Sequence, residues 1–206
     1  MIIIINYGMG NVASIANMLQ NIGEECLITS KPEEIRQAKK IILPGVGSFD
    51  KGMQNLEERG IIELLNTMVM EKGIPILGIC LGMQLFAKSS EEGKLPGLGW
   101  VDADVIRFNF SNLDENLKVP HIGWNIVKPV SNHFLFNKVA YPMRFYFAHS
   151  FHYVCHDTSN IIAISHYGYD FACSIEKNNI LGVQFHPEKS HKYGMQVLNN
   201  FVENCF

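Results

Sequence analysis

No stretch of the 206 residues approaches the roughly 18 consecutive apolar positions of a membrane span. No run of Lys or Arg supplies the electrostatic footprint of a nucleic-acid binder. Charge of either sign is scarce: 17 Lys plus Arg stand against 20 Asp plus Glu, a net of −3, and charged residues make up 18% of the chain. With 47% apolar residues, that balance excludes disorder as the main state and leaves a small neutral or anionic substrate open. The five cysteines (Cys26, Cys80, Cys155, Cys173, Cys205) are odd in number and include no C-x-x-C pair, so free thiols in a reducing, cytoplasmic setting are expected. Met1 to Ile5 is apolar but lacks a charged leader region and runs into Asn6-Tyr7-Gly8, which reads as a short strand and not a signal peptide. The length, with no internal repeat or linker, suits a single domain over 1–206.

What is present is patterned. Ile2 to Ile5, Ile41 to Leu43 and Ile74 to Ile79 are short apolar runs without alternation, as expected of parallel strands buried on both faces. Val12, Ile15, Ala16, Leu19 and Ile22 repeat at helical spacing, with Gly23 as the stop. Ser30-Lys31-Pro32-Glu33 has capping-box spacing, and Ile61 to Val69 forms another apolar face closed by Gly73. The first 90 residues therefore read as β-α-β-α-β-α-β-α. Polar loops interrupt the second half at Lys88 to Gly97 and Asn109 to Lys118. Arg144 to Val154 and Asn160 to Tyr167 read as half-exposed antiparallel strands, and Leu181 to Phe185 as a buried one. Ser190 is placed to cap a last helix with Met195, Leu198, Phe201 and Val202 toward the core. The fold class is α/β: a mostly parallel central sheet flanked by helices, with an added antiparallel region.

Cys80 sits in Gly78-Ile79-Cys80-Leu81-Gly82, between a buried strand and a helix start. That is the context of a nucleophile elbow with Cys in place of Ser: small residues on either side let the chain turn sharply, and the helix start aims amide donors at a thiolate. A thiolate nucleophile needs a base oriented by a third group. His186-Pro187-Glu188 follows a strand end, with Glu188 near enough in sequence to receive the imidazole hydrogen bond. Pro44-Gly45-Val46-Gly47 follows another strand end, and its glycines permit amides to point inward as an oxyanion hole. Taken alone, the last two motifs read equally as plain turns. His149, His152, Cys155 and His156 suggest a metal cluster by composition, but on one strand 149 and 155 face away from 152 and 156, so no metal and no cofactor are expected.

Together these motifs resemble the class I, triad-type glutamine amidotransferases, and among them the HisH-type glutaminase subunits of imidazole glycerol phosphate synthase. The shared blocks span nearly the whole chain: Asn6 to Asn11, Leu43 to Gly47, Gly78 to Gln84, Pro120-His121-Ile122-Gly123-Trp124-Asn125, Tyr146 to Ser150, and Gln184 to Ser190. The resemblance implies a flavodoxin-like fold in which Cys80 attacks the side-chain amide of L-glutamine, His186 carries protons and Glu188 orients it. Amides at Val46, Gly47 and Leu81 would hold the oxyanion, and Gln84 with the Ser150-Phe151 backbone would bind glutamine. The implied partner is a HisF-type (β/α)8-barrel synthase subunit in a heterodimer, met by Asn11, Ser14, Trp124 (in a Gly-Trp-Asn turn), Tyr146 and Lys189, and serving histidine biosynthesis. Asn6 stands where the family has Asp. Lys189 to Met195 resembles a paralogous branch that supplies ammonia to a sugar-amidating enzyme of surface-polysaccharide synthesis. A stand-alone cysteine hydrolase or chaperone-like protein of the flavodoxin-like superfamily is the alternative from a different class.

Overall fold

The computed structural model describes residues 1–111 and 117–204. Residues 112–116, within the segment expected as a polar loop, and Cys205, one of the expected free thiols, lie outside the described residues. The chain begins β1 (Ile2–Ile5), α1 (Val12–Asn21), β2 (Cys26–Thr29), α2 (Pro32–Ile35), β3 (Lys40–Gly45), α3 (Phe49–Glu58) and α4 (Ile62–Leu65), which runs on as a π turn over Asn66–Glu71. It continues with β4 (Ile76–Cys80), α5 (Leu81–Gln84), β5 (Ser89–Ser90), β6 (Ala103–Arg107), β7 (His121–Pro129), β8 (Arg144–His149) and β9 (Phe151–Cys155). Then follow β10 (Ile161–Tyr167), β11 (Tyr169–Lys177), β12 (Ile180–Val183), a 3-10 turn at Pro187–Lys189 and α6 (His191–Glu203).

One sheet runs through the chain in the order β2-β1-β3-β4-β12-β11-β10-β7-β8. The five strands from β2 to β12 are parallel; β11, β10, β7 and β8 continue antiparallel, and β6 with β9 pairs off β11. β1 shows why its run of four isoleucines has no alternation: Ile3 and Ile5 join the core on one face, Ile2 and Ile4 the core on the other. Burying such a side chain contributes about 1.5–3 kcal/mol. Helix α1 ends as its sequence predicts. Gly23 adopts φ +85° and the Glu24 amide reaches back to the Leu19 carbonyl at 3.0 Å.

Three local expectations are corrected. Ser30 does not cap α2: the cap position is Lys31, whose amide is held by Thr29 Oγ1 at 3.0 Å. Ser190 sits at the cap position of α6 but makes no cap hydrogen bond, because its hydroxyl is engaged elsewhere, as described below. The crossover from β3 to β4 holds two helices, not one. The extra helix α3 buries Phe49, Met53 and Leu56, a spacing legible in the sequence.

Candidate active site

The sharpest feature of the backbone lies where β4 meets α5. Cys80 has φ +54° and ψ −111°, a conformation that L residues avoid and that costs on the order of 1–3 kcal/mol. The flanking glycines make it possible. A Cβ on Gly78 would come within 2.7 Å of the Met83 backbone, and one on Gly82 would overlap the Leu43 carbonyl. Parallel pairing sets Gly45 beside Cys80 and Val183 beside Ile79, so the segments after β3 and β12 both emerge next to the thiol. The carboxyl ends of parallel strands are where such sheets build sites.

His186 arrives on the segment after β12. Its amide donates to the Tyr146 carbonyl at 2.9 Å, and its own carbonyl accepts from Ser190 Oγ at 2.6 Å. Ser190 Oγ in turn accepts from the Tyr146 amide at 3.0 Å, which is what occupies the hydroxyl expected to cap α6. Nδ1 of His186 lies 2.8 Å from Glu188 Oε1, with both side chains almost wholly buried. A carboxylate only accepts, so Nδ1 donates, and the charge of Cys80 acts on the same ring. Burial by itself lowers the imidazole pKa. The charge and hydrogen bond of Cys80, and then Glu188, outweigh it and raise His186 to about 10.

A cleft of about 260 Å³ opens over Cys80. Val46, Gly47 and Leu81, expected for an oxyanion hole, and Gln84, Ser150 and Phe151, expected for substrate, all line it. His186 and Glu188, both buried, are not among the residues that line it. Gly47 has φ +126°, and a Cβ there would meet Met9 Cε at 2.6 Å. Gln84 is buried and its Nε2 is tied to the Phe151 carbonyl at 3.1 Å and to Gln184 Oε1 at 3.0 Å.

Sequence reasoning missed two residues that the fold places at the cleft or beside Cys80. Gln184 is fully buried and its Nε2 points at Cys80 Sγ across 3.6 Å. An amide in an apolar strand end, two residues before His186 and hence on the same face, was the available signal. Glu92 joins the cleft lining and accepts from the Phe49 amide at 2.8 Å; burial raises its pKa despite that hydrogen bond. It lies in a loop without periodicity, and no signal marked it.

On the neighbouring surface, Trp124, Tyr146 and Lys189 are brought together. Trp124 pairs in register with Tyr146, and Lys189 Nζ lies 5.6 Å from the centre of the Tyr146 ring. Gly123-Trp124-Asn125 is strand, not the expected turn: it belongs to β7, and the indole is 40% exposed. Asn11 precedes and Ser14 belongs to α1, which packs against the Pro187–Lys189 turn. Asn6 Oδ1 faces the Gly8 amide at 3.4 Å, so the amide side chain can still accept where the family has Asp.

His149, His152 and His156 do not converge on one point, though not by alternation along one strand: His149 and His152 both pack on Phe108, and His156 lies apart. The chain bends at Ser150 between β8 and β9, and His152 turns to the Tyr169 hydroxyl while His156 turns to Asp102 and Asp104. Among the described residues no group of three or more His, Cys, Asp or Glu side chains is placed to hold a metal, and no helix is long and apolar enough to cross a membrane.

The class-I glutamine amidotransferase family matches residues 3–205. A Methanococcus maripaludis protein named imidazole glycerol phosphate synthase subunit HisH 2 is 51% identical over 205 residues, covering 100% of both chains. A Pseudomonas aeruginosa protein of the same name is 46% identical over 203 residues, 98% of this chain and 99% of its own. A chain of PurLQS from Thermotoga maritima has the same fold, with TM-score 0.71 at 19% identity over 98% of this chain and 96% of that one. Similarity end to end, on a fold that puts a cysteine elbow beside a histidine, leaves one assignment: this chain belongs to the class-I glutamine amidotransferases, alongside the HisH subunits.

Proposed function

We propose that this chain is the glutaminase subunit of imidazole glycerol phosphate synthase, which hydrolyses L-glutamine and passes the ammonia to a HisF-type (β/α)8-barrel subunit in histidine biosynthesis. The observation that carries the reading is His186, hydrogen-bonded to Glu188 and raised to about 10 by the charge of Cys80, which lines the cleft. Cys80 Sγ attacks the carbonyl carbon of the glutamine side-chain amide as a thiolate, its proton already held on His186, whose pKa is raised to about 10. The negative oxygen of the tetrahedral intermediate is met by amides at Val46, Gly47 and Leu81. Loss of one such donor lowers rate on the order of 10²–10³. His186 returns the proton to the leaving nitrogen and ammonia departs, which leaves a thioester on Cys80. Water then attacks the thioester as His186 accepts its proton, the carbon–sulfur bond breaks, glutamate leaves, and the Cys80 thiolate and protonated His186 are restored. Gln84 and the Ser150-Phe151 backbone hold the substrate, and the Glu92 carboxylate suits its α-ammonium group.

Free ammonia becomes ammonium near neutral pH and loses its nucleophilicity, so hydrolysis without an acceptor is wasteful. Control by the partner is therefore part of the proposal, with the glycine-flanked Pro44-Gly45-Val46-Gly47 segment as the element it biases. The test measures glutamate release by the chain alone, and with a HisF-type barrel bearing its nucleotide ligand. Strong stimulation by the barrel, abolished by Cys80→Ala, supports the reading. Glutamate release that survives Cys80→Ala overturns it.

A second acceptor is favoured by one observation. Within the segment that resembles the sugar-amidating branch, His191 stacks on Trp124 and Tyr193 lines a groove with Trp124 and Arg144, on the surface read as the partner face. Stimulation by a sugar-amidating partner and not by the histidine-pathway barrel selects that branch.

A further inference from the structure

Strands β7 and β8 carry a second polar chain that the triad does not use. His121 and His149 are cross-strand neighbours, both buried, with His121 Nδ1 3.0 Å from His149 Nε2. His149 lines the cleft, and its Nδ1 lies 2.7 Å from the Phe151 carbonyl. At the other end, Nε2 of His121 lies 3.2 Å from Asn125 Nδ2.

Backbone groups fix the direction of every link. The Phe151 carbonyl only accepts, so His149 carries its proton on Nδ1 and accepts at Nε2. His121 must then donate from Nδ1 and accept at Nε2. Asn125 supplies that donor: its Oδ1 accepts from the Ile126 amide at 2.7 Å, which leaves Nδ2 to donate to the His166 carbonyl at 2.8 Å and to His121. A second proton on either ring would set donor against donor. It would do so among aromatic rings, with Tyr167 and Phe147 stacked on His121 at 4.1 and 4.9 Å and Phe108 against His149 at 5.2 Å. A charged His149 would also face His121, His152 and His186. Both rings therefore stay neutral, and burial holds His121 down to about 4 and His149 to about 3.

The chain of bonds ends on an atom that matters. The Phe151 carbonyl is also the acceptor of Gln84 Nε2, and the adjoining Ser150 carbonyl is held by the Phe108 amide at 3.1 Å. We propose that His121 and His149 are positioning residues for the substrate: a neutral, one-directional imidazole relay that fixes the Ser150-Phe151 corner from the strand that bears Trp124. This rests on the reading of that corner as the glutamine-binding backbone.

The test uses the complex with the barrel partner and has two arms. Nitrogen-15 NMR of the imidazoles should find His121 and His149 both in the Nδ1–H tautomer from pH 5 to 8. Steady-state kinetics should show His149→Leu and His149→Gln raising KM for glutamine about tenfold, the order expected when the Phe151 carbonyl loses one of its two donors, with kcat reduced far less. His149→Asn, whose amide nitrogen falls where Nδ1 sits, should recover most of the affinity. An Nε2–H tautomer at either ring, or equal KM for the Asn and Leu variants while the wild type hydrolyses glutamine, overturns the relay. A wild-type complex that releases no glutamate overturns the glutaminase reading itself, and with it the substrate named here.

Discussion

The carbonyl of Leu43 rests against the α-carbon of Gly82, so near that a Cβ at position 82 would overlap it. Strand β3 and the turn after Cys80 are thus in backbone contact, and that contact sets where the thiol stands relative to the Val46 and Gly47 amides. Gly82→Ala must push the two apart. A displacement of about 1 Å at reacting atoms costs on the order of 10² in rate, so kcat/KM should fall at least that far, with a lowered Tm. Gly23→Ala is the control. Its φ is also positive but nothing lies within 4 Å of the added Cβ, so it should cost about 1 kcal/mol of stability and leave turnover unchanged. Equal turnover loss in the two variants would separate catalysis from the Leu43 contact.

His186 and Glu188 should act as a unit of unequal members. Proton transfer is indispensable, whereas the ring's orientation is partly enforced by the backbone clamp of Tyr146 and Ser190. His186→Ala should lower kcat by about 10⁴ or more, nearly as much as loss of Cys80, and Glu188→Gln should lower it less. The double variant should fall little beyond His186→Ala. Additive losses would mean that the two do not share one role.

Gln184 is the buried amide that turns toward sulfur, and its replacement separates packing from polarity. Gln184→Met keeps the volume and removes the donor to Cys80 and the acceptor for Gln84. Gln184→Glu keeps the shape but sets a carboxylate beside the nucleophile. Glutamine turnover should fall about tenfold in the first and by more in the second. A Glu variant as active as the wild type would remove Gln184 from the site.

The turn at Cys80 and the strand ends that carry Pro44 to Gly47 and His186 to Glu188 were legible because glycine or proline marks where each strand stops. The parallel strands were legible for a different reason: burial on both faces removes alternation, as in Ile2–Ile5. Ser190 misled because a hydroxyl before a helix has two uses, and only the fold brings the Tyr146 amide within reach of it. Trp124 misled because Gly123, at φ +132°, looks like a turn residue while lying inside β7. The His121–His149 pairing depends on the register of two strands more than twenty residues apart in sequence, which local pattern does not encode.

That pairing predicts how the fold responds to acid. His121 and His149 titrate near 4 and 3 in the folded chain, below the 6.5 of an ordinary imidazole. Between those values the unfolded chain binds protons that the folded chain refuses, so stability falls as pH drops from about 6.5 toward 4 and then 3. His186 works the other way: raised to about 10, its contribution is complete below 6.5 and is lost only as pH rises through 10. The depressed carboxylates Asp50, Asp102 and Asp157 start from 3.8, so their loss begins lower than that of the histidines. Thermal melts should therefore show Tm declining between pH 6.5 and 4.5, and His121→Asn should flatten that slope. A slope unchanged in the variant would assign the decline to other groups.

Trp124 tests the partner surface. Its indole is 40% exposed and stacks on His191 at 5.6 Å with the planes 9° apart, edge-on to Tyr146 and Tyr193. A half-exposed aromatic contributes little to the core, so Trp124→Ala should lower Tm by no more than a few degrees. Aromatic anchors at the centre of an interface cost about 2 kcal/mol or more when truncated, roughly thirtyfold in affinity. Half-saturation by a barrel partner should therefore need about thirtyfold more partner, while basal hydrolysis by the chain alone stays near its wild-type value. The stack on His191 also joins this surface to Ser190, whose hydroxyl holds the His186 carbonyl, so some loss of maximal stimulation should accompany the loss of affinity. Unfolding of the variant, or unchanged partner affinity, would place Trp124 in the fold and outside the interface.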